Sequence, residues 1–281
     1  MKVSLILATK NRVEEVDRFV RSLADQGYGD LELIVVDQNE DDRLAAILAQ
    51  SNLRFPIVHL RSKAGLSHAR NVGIRVATGD IISFPDDDCW YPNTLVSRVV
   101  AEFRNDDSVD GLTGRSEDGW GQASGGSFSR SQGRLDLKNV WKRGISYTIF
   151  LRSSVCAAVG SFDEELGVGA RTPFGSGEET DYLIRTIKLG FKIQYLPDLV
   201  VFHANPILYN QNHCDKAFRY GVGMGRVLSK HRYQLSFNLY TILRPIGGAL
   251  LSLLTLRTRK AAYHLAIAKG RLYGLGYSYR Q

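Results

Sequence analysis

The first 85 residues alternate short β-rich runs with helical patterns, and few folds accommodate that alternation. VSLILAT (3–9) reads as a strand. Residues 11–26 carry Val13, Val16, Phe19, Val20 and Leu23 at helical spacing, which predicts an amphipathic helix. LELIVVD (31–37) and PIVHLRS (56–62) read as further strands, separated by a helix over 41–50 that opens on acids. A third helix over 65–77 leads into a fourth strand, GDIISFPDDD (79–88). Such alternation implies a doubly wound, mostly parallel α/β sheet. Ligands of these sheets bind at the carboxyl ends of the strands, where Asp37 and the run Asp86, Asp87, Asp88 fall.

Three adjacent carboxylates repel one another, so the run needs cations. From an extended segment Asp86 and Asp88 would reach the same side and could share a hard divalent ion such as Mg²⁺ or Mn²⁺, with Asp87 pointing away. The structural alternative is a cap cluster for the helix that follows Pro92, but three acids exceed what a cap needs. No phosphate-binding G-x-x-x-x-G-K-[ST] loop, no strand-linked G-x-G-x-x-G and no G-x-S-x-G elbow is present. GVGMGR (221–226) has the wrong glycine spacing for a dinucleotide loop and follows no strand.

The rest of the chain changes character. Residues 116–134 are rich in Gly and Ser without periodicity and read as a long loop that could act as a lid. A helix is expected over 175–190, then two strands, 191–197 and 198–204, broken at Pro197. The three cysteines lie far apart with no C-x-x-C, which suggests a reducing, cytosolic compartment and no zinc site. The opening apolar run is too short for a signal peptide and reads as a strand. The net charge of +7 is uneven: residues 206–281 hold twelve Lys and Arg against one acid, Asp215. Within this basic tail, 237–260 is apolar but interrupted by Arg244 and Pro245, leaving an apolar run (246–256) too short to span a bilayer. Flanked by basic residues, it suits a helix lying on an anionic membrane surface, or alternatively a helix packed on the core. Basic residues among tyrosines in 271–280 also raise nucleic-acid binding, which the apolar stretch disfavours.

VSLILATKNR, IVVDQNEDD, GLSHARNVGIRVATGDIISFPDDD, GEETDYLIR and VVFHA, in this order, resemble the family 2 glycosyltransferases. The resemblance covers about residues 1–205 and implies a GT-A fold, a Rossmann-like doubly wound sheet, with 206–281 as a basic, partly apolar helical extension. It implies inverting transfer of a sugar from a nucleotide sugar, UDP-linked by expectation, to an acceptor hydroxyl, with Mn²⁺ or Mg²⁺. It further suggests cell-surface polysaccharide or glycolipid synthesis, and the basic apolar tail, outside the resemblance, would dock the chain on the inner face of the cell membrane, where a lipid-linked acceptor would be met.

The same resemblance assigns positions. Asp37 would read the donor base, its alternative being an Asx turn; Thr9 and Arg12 would line the nucleotide pocket. Arg70 would face the diphosphate and ribose, or else pair with an acid. Asp86 would lean to the ribose or the metal, Asp88 would be the principal metal ligand, and Asp87 would take a structural or nucleotide-sugar contact. His203 would complete the metal site or be a core histidine. In GEETDY, Glu179 stands where the family usually has Asp. Helical spacing puts Glu179, Leu183 and Ile187 on one stripe, so Glu179 is expected to face inward and act as general base, with Glu178 or Asp181 orienting it. Trp90 and Trp120 could line an acceptor site, Trp90 otherwise packing in the core. Two further readings are a sugar-phosphate nucleotidyltransferase, whose signature ATKNR lacks, and a non-catalytic module.

Overall fold

The computed structural model describes residues 1–49, 53–124, 128–204 and 209–277. The expected boundary between residues 205 and 206 lies outside them, as do the end of the expected second helix and parts of the Gly/Ser loop and of 271–280. The chain forms two compact units. The first comprises Met1–Ala64, His68–Phe162 and Glu179–Pro206; the second comprises Gly65–Ser67, Asp163–Glu178 and Ile207–Gln281.

In chain order the elements are β1 (Val3–Thr9), α1 (Glu14–Ala24), β2 (Leu31–Asp37), α2 (Ala45–Leu48), β3 (Ile57–Arg61), α3 (Leu66–Ile74), β4 (Ile81–Ser83), β5 (Cys89–Trp90), α4 (Leu95–Asn105), β6 (Gly111–Glu117) and β7 (Gly133–Arg134). They continue with α5 (Val140–Arg143), a 3₁₀ turn (Ser146–Thr148), β8 (Phe150–Arg152), α6 (Ser153–Val159), α7 (Glu178–Lys188), β9 (Ile193–His203), α8 (Gln211–Lys230), α9 (Leu235–Leu254) and α10 (Thr258–Gly276).

The strands of the first unit make one sheet, ordered β3-β2-β1-β4-β8-β6-β9-β5 with β7 on β9. The pairs among β3, β2, β1 and β4 are all parallel. β1 and β2 are buried along their whole length, as strands covered on both faces must be. On one face, Val3, Leu5 and Leu7 pack with Val16, Phe19 and Val20 of α1 and with Val96, Val99 and Phe103 of α4. On the other, α3 comes so close that a Cβ on Gly73 would sit 2.3 Å from the Ile6 side chain.

Three expected elements differ. The fourth strand stops at Ser83, because Phe84–Pro85 breaks the ladder, and the aspartates follow in a turn rather than an extended segment. β9 runs unbroken through Pro197, which sits opposite a register shift between Thr113 and Arg115 of β6. At such a bulge the missing N–H costs no ladder bond. Gly114 makes the close approach possible there: a Cβ on it would fall 2.0 Å from the Leu199 carbonyl oxygen.

In the second unit α10 packs on α8 and α9. The glycines of GVGMGR are contact points. A Cβ on Gly225 would lie 2.3 Å from the Arg271 carbonyl oxygen, and one on Gly274 2.1 Å from that of Val222. Small residues at such spacing let helix backbones nearly touch. The third difference is here, since α9 continues through Pro245. Proline removes the donor that would bond the carbonyl four residues earlier, that of Thr241; Arg271 of α10 donates to that carbonyl instead.

Within the sheet, Glu32 is a buried acid on β2 opposite Ser4 of β1. It accepts hydrogen bonds from Ser4 Oγ (2.5 Å) and Thr78 N (2.8 Å) and pairs with Lys2 Nζ (2.6 Å). Burial alone would push its carboxyl up, but the bonds from Lys2, Ser4 and Thr78 outweigh it and hold it at about 2, against an ordinary 4.5. The folded chain therefore binds this proton less readily than the unfolded chain. The stabilisation is complete above pH 4.5 and is lost as pH falls toward 2. Glu32→Gln should cost about 2 kcal/mol at neutral pH and flatten the loss of stability between pH 5 and 3, read as urea midpoints.

Candidate active site

The turn at Asp86–Cys89 is closed by the Cys89 N–H donating to the Asp86 carbonyl (3.2 Å) and tied to β1 by a bridge between Ala8 and Asp86. β5 then pairs antiparallel with the end of β9, Cys89 opposite His203 and Trp90 opposite Phe202. That pairing brings His203 Nε2 to 3.0 Å from Asp88 Oδ1. One ligand atom each from Asp86, Asp88 and His203 lies within 4.8 Å of the others. His203 is buried, its ring stacked on Tyr147 with centroids 4.8 Å apart and planes 4° from parallel. Among the described residues its Nδ1 has no hydrogen-bond partner, and the Asp88 carboxylate, which can only accept, favours the proton on Nε2. Two carboxylates and an imidazole, held rigidly at this spacing, fit a hard or borderline divalent ion such as Mn²⁺.

Two arginines serve the three aspartates. Asp86 pairs with Arg70 Nη2 (3.0 Å) and accepts from Ser146 Oγ at 3.1 and 3.2 Å. Arg70 is 1 % exposed, with its guanidinium over the Phe162 ring, so it lies in the core rather than on a helix surface. Asp87 accepts from Thr9 Oγ1 and Arg12 Nη1, each at 2.8 Å; in the turn it does not alternate away from Asp88 as an extended segment would require, since both reach Arg12. Arg12 Nη1 also reaches Asp88 Oδ2 at 2.5 Å. Burial pushes the Asp87 carboxyl up to about 6 in spite of Arg12 and Thr9. Burial would raise Asp88 too, but the hydrogen bond and charge of His203, then Arg12, hold it far below the usual carboxylate range.

Asp37 is fully buried at the end of β2. It accepts from the backbone and side-chain nitrogens of Asn39 (2.8 and 2.7 Å), which is the Asx turn, and it lies 3.1 Å from His59 Nε2 and Arg61 Nη1. Asn39 in turn accepts from the N–H of Asn11, whose φ of 59° lets the β1–α1 turn close.

The acids of α7 differ from expectation. Glu179 is only half-buried, whereas Glu178 and Asp181 are buried. Counting apolar residues passed over Tyr182, which with Asp181 and Leu183 centres the covered side. Asp181 is committed to Arg185 (2.9 Å), whose other nitrogens donate to the carbonyls of Val159 and Ser161. Glu178, in the second unit, lies against Gly167, where a Cβ would fall 3.1 Å from its Oε2. Trp90 packs on Phe202 under the Arg18 guanidinium, while Trp120 is 90 % exposed in a turn after β6. Cys89 is buried with its thiol pushed far up, by burial first and the neighbouring acids next. Ser146, Tyr147, His59 and Arg61 were not singled out in the sequence; none belongs to a motif, and only tertiary structure brings them to these acids.

A model of glycosyl transferase family 2 matches residues 4–157, more than half of the chain, and the chain belongs to that family. An uncharacterised glycosyltransferase of Nostoc is 30 % identical over 113 residues, 39 % of this chain and 35 % of that one. The match spans about a third of the length of the first such relatives. The fold is GT-A. The mannosyltransferase PcManGT of Pyrobaculum calidifontis, solved with GDP-Man and Mn²⁺, superposes with a TM-score of 0.67 at 16 % identity over 97 % of this chain and 87 % of its own. TarS of S. aureus, solved with UDP, gives 0.62 at 17 % over 100 % and 93 %. At such identities the likeness concerns the fold alone.

Arg70→Met keeps the buried volume but removes the charged donor to Asp86. It should cost about 2 kcal/mol in urea unfolding and loosen Asp86. An unchanged midpoint would show that the pair holds nothing in place.

Proposed function

We propose that the chain is an inverting glycosyltransferase that moves a sugar from a nucleoside-diphosphate sugar to an acceptor hydroxyl, in polysaccharide or glycolipid synthesis. The observation that carries the reading is the convergence of Asp86, Asp88 and His203 at the carboxyl end of the parallel strands. The nucleotide ligands of PcManGT and TarS support a nucleotide-sugar donor and leave the base open between uracil and guanine. The Mn²⁺ of PcManGT supports a divalent cofactor at the aspartate cluster.

Asp86, Asp88 and His203 would hold the ion. When bound, it supplies positive charge to the diphosphate leaving group. Arg12, on the turn after β1, holds Asp87 and Asp88 in place. Asp37, aligned by Asn39, would accept from the donor base in exchange for its contact with His59 or Arg61. Glu179, the half-open acid of α7, takes the proton from the acceptor hydroxyl. That oxygen then bonds to the anomeric carbon from the face opposite the diphosphate, the carbon–oxygen bond to phosphate breaks, and the nucleoside diphosphate departs. An α-linked donor would give a β-linked product.

Release of nucleoside diphosphate from UDP- and GDP-sugars, with Mn²⁺ and a panel of hydroxyl acceptors, tests the proposal. Glu179→Gln should lower kcat by a factor of about 10² to 10⁴, the usual worth of a general base. Glu178→Gln should be milder. Full turnover in Glu179→Gln would remove it as the base, and absence of transfer from every donor would overturn the reading.

A further inference from the structure

Helix α9 carries two apolar faces. One, with Ile242, Pro245 and Ala249, is buried within the second unit. The other is a bare stripe of Leu239, Leu243, Leu250 and Leu254 at intervals of four, seven and four, exposed by 48, 59, 59 and 81 %. Single exposed leucines are ordinary, but a contiguous row of four along one helix face is a contact surface.

The charge around the stripe identifies what it contacts. Residues 231–277 contain seven Lys and Arg and no Asp or Glu. Arg257, Arg259 and Lys260 follow the stripe at the α9–α10 corner, the arginines exposed. A second copy of the chain docking on this face would bring like charges together, whereas an anionic lipid surface complements both the stripe and its basic rim. The helix is long and apolar enough to cross a bilayer by length and composition. However, Arg244 stands halfway along it, where spanning would set a charge at the bilayer centre. Its other face is already committed to α10, through the Arg271 bond to the Thr241 carbonyl. We infer that α9 lies in the plane of an anionic membrane surface, with Leu239, Leu243, Leu250 and Leu254 inserted among the acyl chains and Arg257, Arg259 and Lys260 at the headgroups. This rests on α9 and α10 alone and stands whether or not sugar transfer is the activity.

Flotation of the full chain with vesicles of phosphatidylcholine alone, or with a third phosphatidylglycerol, tests it. The protein should float with the anionic vesicles, stay at the bottom with the neutral ones, and be stripped by alkaline carbonate. Substituting serine for all four leucines should abolish flotation while leaving the thermal midpoint unchanged. If that variant fails to fold, Arg257→Gln/Arg259→Gln/Lys260→Gln serves instead, and should lower partitioning about a hundredfold. Three results would each overturn the inference: a protein that stays at the bottom with both vesicles, one that resists carbonate, or a dimer in solution that the serine substitutions dissolve.

Discussion

The site depends on one short strand pairing. β5 has only two residues, and its ladder with the end of β9 sets Cys89 against His203. Without it, the acid turn would keep its ties to β1, Arg70 and Arg12, but His203 would have no route to Asp88. The pairing is held by more than backbone bonds. Trp90 packs on Phe202, Arg18 lies over the Trp90 ring and donates to the Asp88 carbonyl, and Cys89 is sealed in the core. A two-residue ladder is weak by itself; side-chain burial on both sides makes it rigid enough to aim ligands.

Electrostatics explains how three adjacent aspartates are tolerated. The carboxylates are divided among their neighbours: Asp86 faces Arg70, Asp87 faces Arg12, and Asp88 faces Arg12 and the imidazole of His203. These partners come from α3, the β1–α1 turn and the end of β9, so the acid turn is the point where the parallel strands and the last strand are tied together. The opposed shifts of Asp87 and Asp88 follow from the same division. Asp88 has the hydrogen bond of His203 besides Arg12, whereas at Asp87 burial outweighs Arg12 and Thr9.

Where burial on both faces dictates residue type, the sequence was legible. β1 and β2 begin and end at the expected residues because continuous apolar runs admit no other partition. His203 ends a strand as expected, and the aspartates follow one, though in a turn three residues past the end of β4. Less legible were features set by groups distant in sequence. Pro197 and Pro245 were read as breaks, yet the first lies at a bulge opposite β6 and the second frees a carbonyl that Arg271 takes up. The inward side of α7 was misjudged because Tyr182 and Asp181 are buried while counting as polar. Asp181 is tolerated there through its pairing with Arg185, which periodicity does not reveal. The recruitment of Asp163–Glu178 into the second unit also has no local signature.

Asp86, Asp88 and His203 are proposed to act together as the seat of a divalent ion that brings in a nucleoside diphosphate. Calorimetric titration of UDP and GDP into the protein, with Mn²⁺ or with chelator, tests it most directly. Binding of one nucleotide should require Mn²⁺ and should vanish in Asp88→Asn and weaken at least tenfold in His203→Ala, a loss of about 1.4 kcal/mol. Nucleotide binding of equal strength with chelator, or in Asp88→Asn, would contradict it.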